Sequence, residues 1–135
     1  MPAPTYTMTI RVYYEDTDAG GVVYYANYLR YLERARTELM RCCGVDVPAL
    51  AARGVLFVIV HAELDYRRPA VLGDELAIHT AVGDMKRASL RFDYTIRRAA
   101  TGEDLVTAST TAACVNAERR VIRLPDEVFR KLGGD

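Results

Sequence analysis

A chain of 135 residues, set against a working size of roughly 150 residues per domain, has room for one unit, and residues 1–135 are expected to form a single domain. Half of the residues are hydrophobic and 27% are charged, a balance that excludes a disordered or fibrous chain. Eighteen Lys and Arg offset eighteen Asp and Glu, so no overall positive field gathers nucleic acid or anionic lipid, and any anion recognition has to be local. No apolar run approaches the roughly 20 residues of a membrane-spanning helix. The N-terminus MPAPTYTMTIRVYY has neither the basic nor the apolar region of a secretory signal, so a cytoplasmic protein is expected. Cys42, Cys43 and Cys114 make no disulfide framework and are read as reduced thiols.

Residues 6–14 (YTMTIRVYY) are rich in β-branched and aromatic types and predict a strand, broken at the acidic, Gly-containing residues 15–21. A helix follows. From Tyr28 onward Tyr28, Leu32, Ala35, Leu39 and Cys42 recur at spacings of four and three, while Arg30, Glu33, Arg34, Thr37, Glu38 and Arg41 occupy the other side. Arg34 and Glu38 are spaced for an i,i+4 ion pair, Arg41 suits the last turn, and Gly44 suits the C′ position. After Gly54 the period becomes two. Leu56, Val58, Val60, Ala62 and Leu64 share one face, and Val55, Phe57 and Ile59 make the first half of that strand apolar on the other face as well. Three further alternating runs, near 76–82, 89–97 and 104–116, are separated by Arg68-Pro69, Gly73-Asp74, Gly83-Asp84 and Thr101-Gly102, short breaks that predict antiparallel hairpins. Pro125 is placed as the first residue of a short last helix, which stops before Gly133 and Gly134. The order strand, helix, four strands, short helix predicts an α+β fold: a five-stranded antiparallel sheet crossed by one long helix. One helix leaves the doubly apolar strand uncovered, and a second subunit is the economical cover.

Counting excludes most catalytic constellations. Ser89 and Ser109 lie in no G-x-S-x-G elbow, His61 and His79 fall on predicted strands, and neither a zinc pattern nor a nucleotide-binding glycine pattern occurs. What remains is the segment Glu15-Asp16-Thr17-Asp18-Ala19-Gly20-Gly21. As a calcium loop it fails, because with Asp16 as the first position the fifth is Gly20 and the twelfth is Asn27 instead of Glu. Two readings of Asp18 stay open. It caps or bends the entry to the helix, or it faces a ligand that Gly20 and Gly21 allow close to the backbone, with free N–H groups at the helix start holding a developing oxyanion. A carboxylate beside such donors suffices for acyl transfer.

The stretch VYYEDTDAGGVVYYANYLRYLERARTELM, residues 12–40, resembles the signature of the 4-hydroxybenzoyl-CoA thioesterase-like hotdog enzymes, and most closely the bacterial Tol-Pal-associated acyl-CoA thioesterases of the YbgC type. The resemblance continues more weakly through FVIVHAELDYRRPAVLGDEL and MKRASLRFDY to the last strand. It implies a hotdog fold, with the sheet wrapped around a long central helix and two subunits joining their sheets, in a homodimer or homotetramer whose active sites lie at the interface. It further implies an acyl-CoA thioesterase that uses no metal and no bound cofactor, coenzyme A arriving as part of the substrate. The catalytic acid is implied at Asp18, and the donor that polarises the thioester carbonyl at the main-chain N–H of Tyr25. YbgC-type proteins commonly carry His at that position, and a main-chain donor survives the change. Lys86 and Arg87, beside Ser89 at the start of a hairpin strand, match the region that meets the nucleotide end of CoA, whose phosphates call for cationic donors; Arg119, Arg120 and Arg123 are the reserve. A hotdog dehydratase would need an imidazole beside Asp18, and none is near. The rival of a different class is a non-catalytic module that binds acyl-CoA or acyl carrier protein.

Overall fold

The computed structural model describes residues 3–134. Strands β1 (Thr5–Arg11), β2 (Leu56–Tyr66), β3 (Glu75–Met85), β4 (Ser89–Arg98) and β5 (Asp104–Val115) form one antiparallel sheet in the order β1-β3-β4-β5-β2. The long helix α1 (Asn27–Cys42) lies between β1 and β2 in the chain, followed by the short α2 (Val47–Ala52), and α3 (Asp126–Lys131) ends the described structure. β3 and β4 bury every second side chain, Leu76, Ile78, Thr80 and Val82 on one and Leu90, Phe92, Tyr94 and Ile96 on the other. Those rows share one core with Tyr28, Tyr31, Leu32, Ala35 and Leu39 of α1. This is the sheet around a central helix expected of a hotdog fold. Among the described residues no helix is long and apolar enough to cross a membrane.

Several local expectations are corrected. β1 stops at Arg11, and the exposed Tyr13 and Tyr14 lead into a single 3₁₀ turn, Tyr14–Asp16, because Asp16 accepts the Tyr13 N–H through its side chain and ends the ladder. Cys42 is exposed and off the buried face. In the last turn Met40 is buried instead, where Gly44 (φ +84°) lets the chain turn back so that the Val45 N–H reaches the Met40 carbonyl at 2.8 Å. Glu38 pairs with Arg41 at 3.0 Å, one turn toward the C-terminus, and not with Arg34. The helix α2 escaped the periodicity reading because it is only six residues long, although Asp46, which accepts the Ala49 N–H at 3.2 Å, and the proline in the first turn are its start signals. Pro125 is the N-cap of α3 and not its first helical residue.

The largest correction is topological. β3–β4 and β4–β5 are hairpins as expected, but β2 and β3 are not neighbours: β2 pairs with β5 at the far edge, and residues 67–74 cross the end of the sheet. Arg98 anchors that crossing, its guanidinium bonded to Asp74 and to the Pro69 carbonyl. β2 is therefore an edge strand, with Val58, Ile59 and Val60 exposed and a bulge between Ile59 and His61.

Candidate active site

The loop between β1 and α1 is built from short-range polar contacts. The Asp18 N–H donates to the Val22 carbonyl at 2.9 Å and the Gly21 N–H returns to the Asp18 carbonyl at 3.0 Å. That reversal needs the positive φ of Gly21, +80°. One carboxylate oxygen of Asp18 accepts the Gly20 N–H at 2.8 Å, and a Cβ at position 20 would stand 3.2 Å from it, so glycine is needed for the close approach. Asp18 is exposed, and its second carboxylate oxygen takes no hydrogen bond among the described residues. It caps no helix: the residue before α1 is Ala26, which has no side-chain cap. Of the two readings left open, Asp18 bends the loop and still presents a free carboxylate oxygen.

Tyr25 sits just ahead of α1. Its neighbours are tied down, the Tyr24 N–H to the Asp16 carbonyl at 2.9 Å and the Asn27 N–H to the Tyr24 carbonyl at 2.8 Å, while the Tyr25 N–H finds no acceptor among the described residues. The Tyr25 carbonyl accepts the Tyr66 hydroxyl at 3.0 Å. Val22, Val23, Tyr25, Tyr28, Tyr66 and Pro69 give a cavity of about 260 Å³ against this loop its apolar walls, and Arg67 and Arg68 also line it. The Tyr25 and Tyr28 rings meet Tyr66 at centroid distances of 6.4 and 5.6 Å. Burial raises the pKa of Tyr28 and of Tyr66 above the ordinary 10.0. An exposed carboxylate and an unpaired N–H thus share one loop, whose Val22 both pins Asp18 and lines the cavity.

The cationic candidates lie elsewhere. Lys86 and Arg87 are exposed in the β3–β4 turn, where the Lys86 N–H meets the Ser89 carbonyl at 2.8 Å. Lys86 and Ser89 line a hollow of about 120 Å³ with Asp84 and Arg91, whereas Arg87 turns to a second hollow of about 250 Å³ with Arg123, Asp126 and Phe129. Arg119 and Arg120 are exposed in the turn that follows β5. The Asp18 loop joins the sheet at the Glu75 end of β3, through Val12 to Asp74 and Val23 to Ala70, while Lys86 follows the Met85 end. Eleven strand residues separate the ends, about 30 Å at roughly 3.3 Å each. One chain does not bring Asp18 and Lys86 together.

Sequence reasoning missed three contributors, Asp16, Asn27 and Tyr66. Asn27 is buried and donates its amide to Asp16 at 3.0 Å. The sequence offers Asp16 only as the first position of a calcium loop that fails, and no local pattern links Tyr66 to Tyr25, 41 residues away.

A family model described as the thioesterase-like superfamily matches residues 12–132. A protein of Escherichia coli named acyl-CoA thioester hydrolase YbgC is 48% identical over 87 residues, 64% of this chain; the match spans 65% of that relative's length, just under two thirds. The Haemophilus influenzae protein named acyl-CoA thioesterase YbgC is 38% identical over 125 residues, 91% of this chain and 90% of its own. Among solved structures, a 1,4-dihydroxy-2-naphthoyl-CoA thioesterase from Synechocystis superposes with a TM-score of 0.89 at 26% identity, over 95% of each chain.

Proposed function

We propose that this chain, which belongs to the thioesterase-like superfamily, is an acyl-CoA thioesterase that acts as a single domain and hydrolyses the thioester to a free acid and CoA. The observation that carries the reading is the pairing on one loop of a free Asp18 carboxylate oxygen with the unpaired Tyr25 N–H, at the edge of a tyrosine-lined cavity suited to an acyl group. Tyr25 N–H holds the oxyanion that develops on the thioester carbonyl. Asp18 takes one of two roles. As base it accepts a proton from water, which adds to the carbonyl carbon; as nucleophile it adds itself, expelling the CoA thiolate and leaving an acyl-aspartyl anhydride that water cleaves. In both routes the carbon–sulfur bond breaks, and the thiolate is protonated to CoA.

Lys86 and Arg87, with Ser89, receive the phosphates of CoA. Because they stand at the far end of the sheet from Asp18, one ester reaching both draws them from different copies, which supports a homodimer or homotetramer. Acyl carrier protein, which presents the same thioester, is a second acyl donor worth testing. Free thiols at Cys42, Cys43 and Cys114 suit a reducing, cytoplasmic setting.

Steady-state hydrolysis over a panel of short, long and aromatic CoA esters tests the activity. Asp18→Asn keeps shape and removes charge, and kcat should fall roughly 100-fold or more. A variant with near wild-type kcat would refute both roles of Asp18, and a wild-type chain that binds the esters and cleaves none would be a binding module. Single turnover in ¹⁸O-labelled water, rapidly quenched for mass spectrometry of the protein, separates the two routes: an acyl adduct or label on Asp18 marks attack by the side chain, whereas label confined to the released acid with no adduct on Asp18 at any time marks the base.

A further inference from the structure

We propose that the side-chain bridge between Asp16 and Asn27 aims the Tyr25 N–H, so that both are positioning residues for the hydrolysis proposed above; the catalytic part of this inference rests on that reading. Asn27 opens α1 and is 8% exposed. A buried amide is costly without partners, and Asn27 spends its amide N–H on one Asp16 oxygen, at 3.0 Å. The other Asp16 oxygen accepts the Tyr13 N–H at 2.9 Å, fixing the carboxylate to the end of the preceding segment. The main chain closes the circuit: Tyr24 N–H to the Asp16 carbonyl, Asn27 N–H to the Tyr24 carbonyl.

Tyr25 lies inside this closed loop of contacts. A peptide unit is planar and trans, so the N–H of Tyr25 points opposite to the carbonyl of Tyr24. Holding that carbonyl on the Asn27 N–H therefore directs the Tyr25 N–H outward, and its aim is as good as the placement of Asn27. Ala26 provides no side-chain cap to place the helix start. The Asp16 carboxylate does so from the other arm of the loop, two residues before Asp18. The same group thus couples the position of the acid to that of the oxyanion donor, and a misplaced donor loses strength steeply with angle.

The test exchanges the two groups. Asn27→Asp sets two carboxylates against each other and opens the bridge. In the double variant Asp16→Asn with Asn27→Asp, the new amide at position 16 keeps an oxygen for the Tyr13 N–H and donates to the new carboxylate at position 27, so the bridge re-forms reversed. N27D should lower kcat roughly 10- to 100-fold, short of the roughly 100- to 1,000-fold for removing an oxyanion donor outright because the donor is displaced and not lost, with KM within about twofold, and should move the Tyr25 amide resonance in the ¹H–¹⁵N spectrum. The exchange should return both kcat and the resonance toward wild type. If N27D does not fold, Asn27→Ser, whose shorter side chain falls short of Asp16, takes its place. Two results overturn the proposal: an opened bridge that leaves kcat and the Tyr25 resonance unchanged, or an exchange that restores the thermal midpoint without restoring kcat. If the wild-type chain hydrolyses no ester, the proposed function fails by itself, and the Tyr25 resonance alone decides whether the bridge positions that donor.

Discussion

Tyr31 shows how one atom tunes stability. It is almost fully buried one turn into α1, and its hydroxyl has no hydrogen-bond partner among the described residues. Burial first, and then the nearby Asp16 charge, hold its pKa well above the ordinary 10.0. Burial shifts Tyr28 in the same direction. A pKa raised on folding means that the folded chain keeps the proton more tightly than the unfolded one. The stability this contributes is complete below about pH 10 and is lost as the pH climbs from there toward the folded values. Tyr31→Phe removes the unpaired hydroxyl without changing the ring, so it should add up to about 1 kcal/mol at neutral pH, the scale of an unsatisfied buried polar group. The variant should also lose stability less steeply above pH 10. Urea unfolding followed from neutral pH to about pH 11 checks both, and a variant less stable than wild type at neutral pH would mean that the hydroxyl is bonded in solution.

At the scale of elements, α1 carries the core and the loop that leads into it carries the candidate site. Leu39 is fully buried two turns beyond Tyr31, far along the helix from the Asp16–Asn27 contact. Leu39→Ala should cost about 2–5 kcal/mol, the range for emptying a core position. Below its melting transition the variant should keep the kcat and KM of wild type; a selective loss of kcat would mean that the helix transmits strain to its N-terminus. The periodicity of α1 was legible because a helical face is a local property, repeated every three or four residues. Its exceptions sit at the ends, where Cys42 leaves the face and Ala26 stands at the cap, since neighbours outside the helix decide burial and capping there.

For the whole molecule, the edge strand β2 poses the main question. Val60 is 61% exposed, and Val58 and Ile59 beside it are also open, an apolar edge that a lone chain would present to water. Ile59→Lys with Val60→Asp should shift the protein toward a single chain of 15.1 kDa in sedimentation, and should lower activity because each site would lose the cations of a second copy. A wild-type protein that sediments as a monomer at micromolar concentration would refute the shared site. Replacing Lys86 and Arg87 with Ala should raise KM more than it lowers kcat, since a remote phosphate is held equally in the ground and transition states. An unchanged KM would move phosphate recognition to Arg123, which shares its hollow with Arg87.

What could be read from the residues alone is what short-range physics controls. The period of β3 and β4, the helical stripe of α1, the turns at Gly21 and Gly44, and the acid-glycine segment around Asp18 depend on neighbours within a few positions. The doubly apolar start of β2 was also visible, and it foretold a surface that one chain leaves open. Only the tertiary structure decided that β2 crosses to pair with β5, that Tyr66 bonds the Tyr25 carbonyl, and that Lys86 lies at the opposite end of the sheet from Asp18. Residues 25 and 66 belong to segments whose separate patterns contain nothing about each other. Strand order and register are set by which arrangement buries the most apolar surface with every backbone group paired, a condition on the whole chain that no window of sequence expresses.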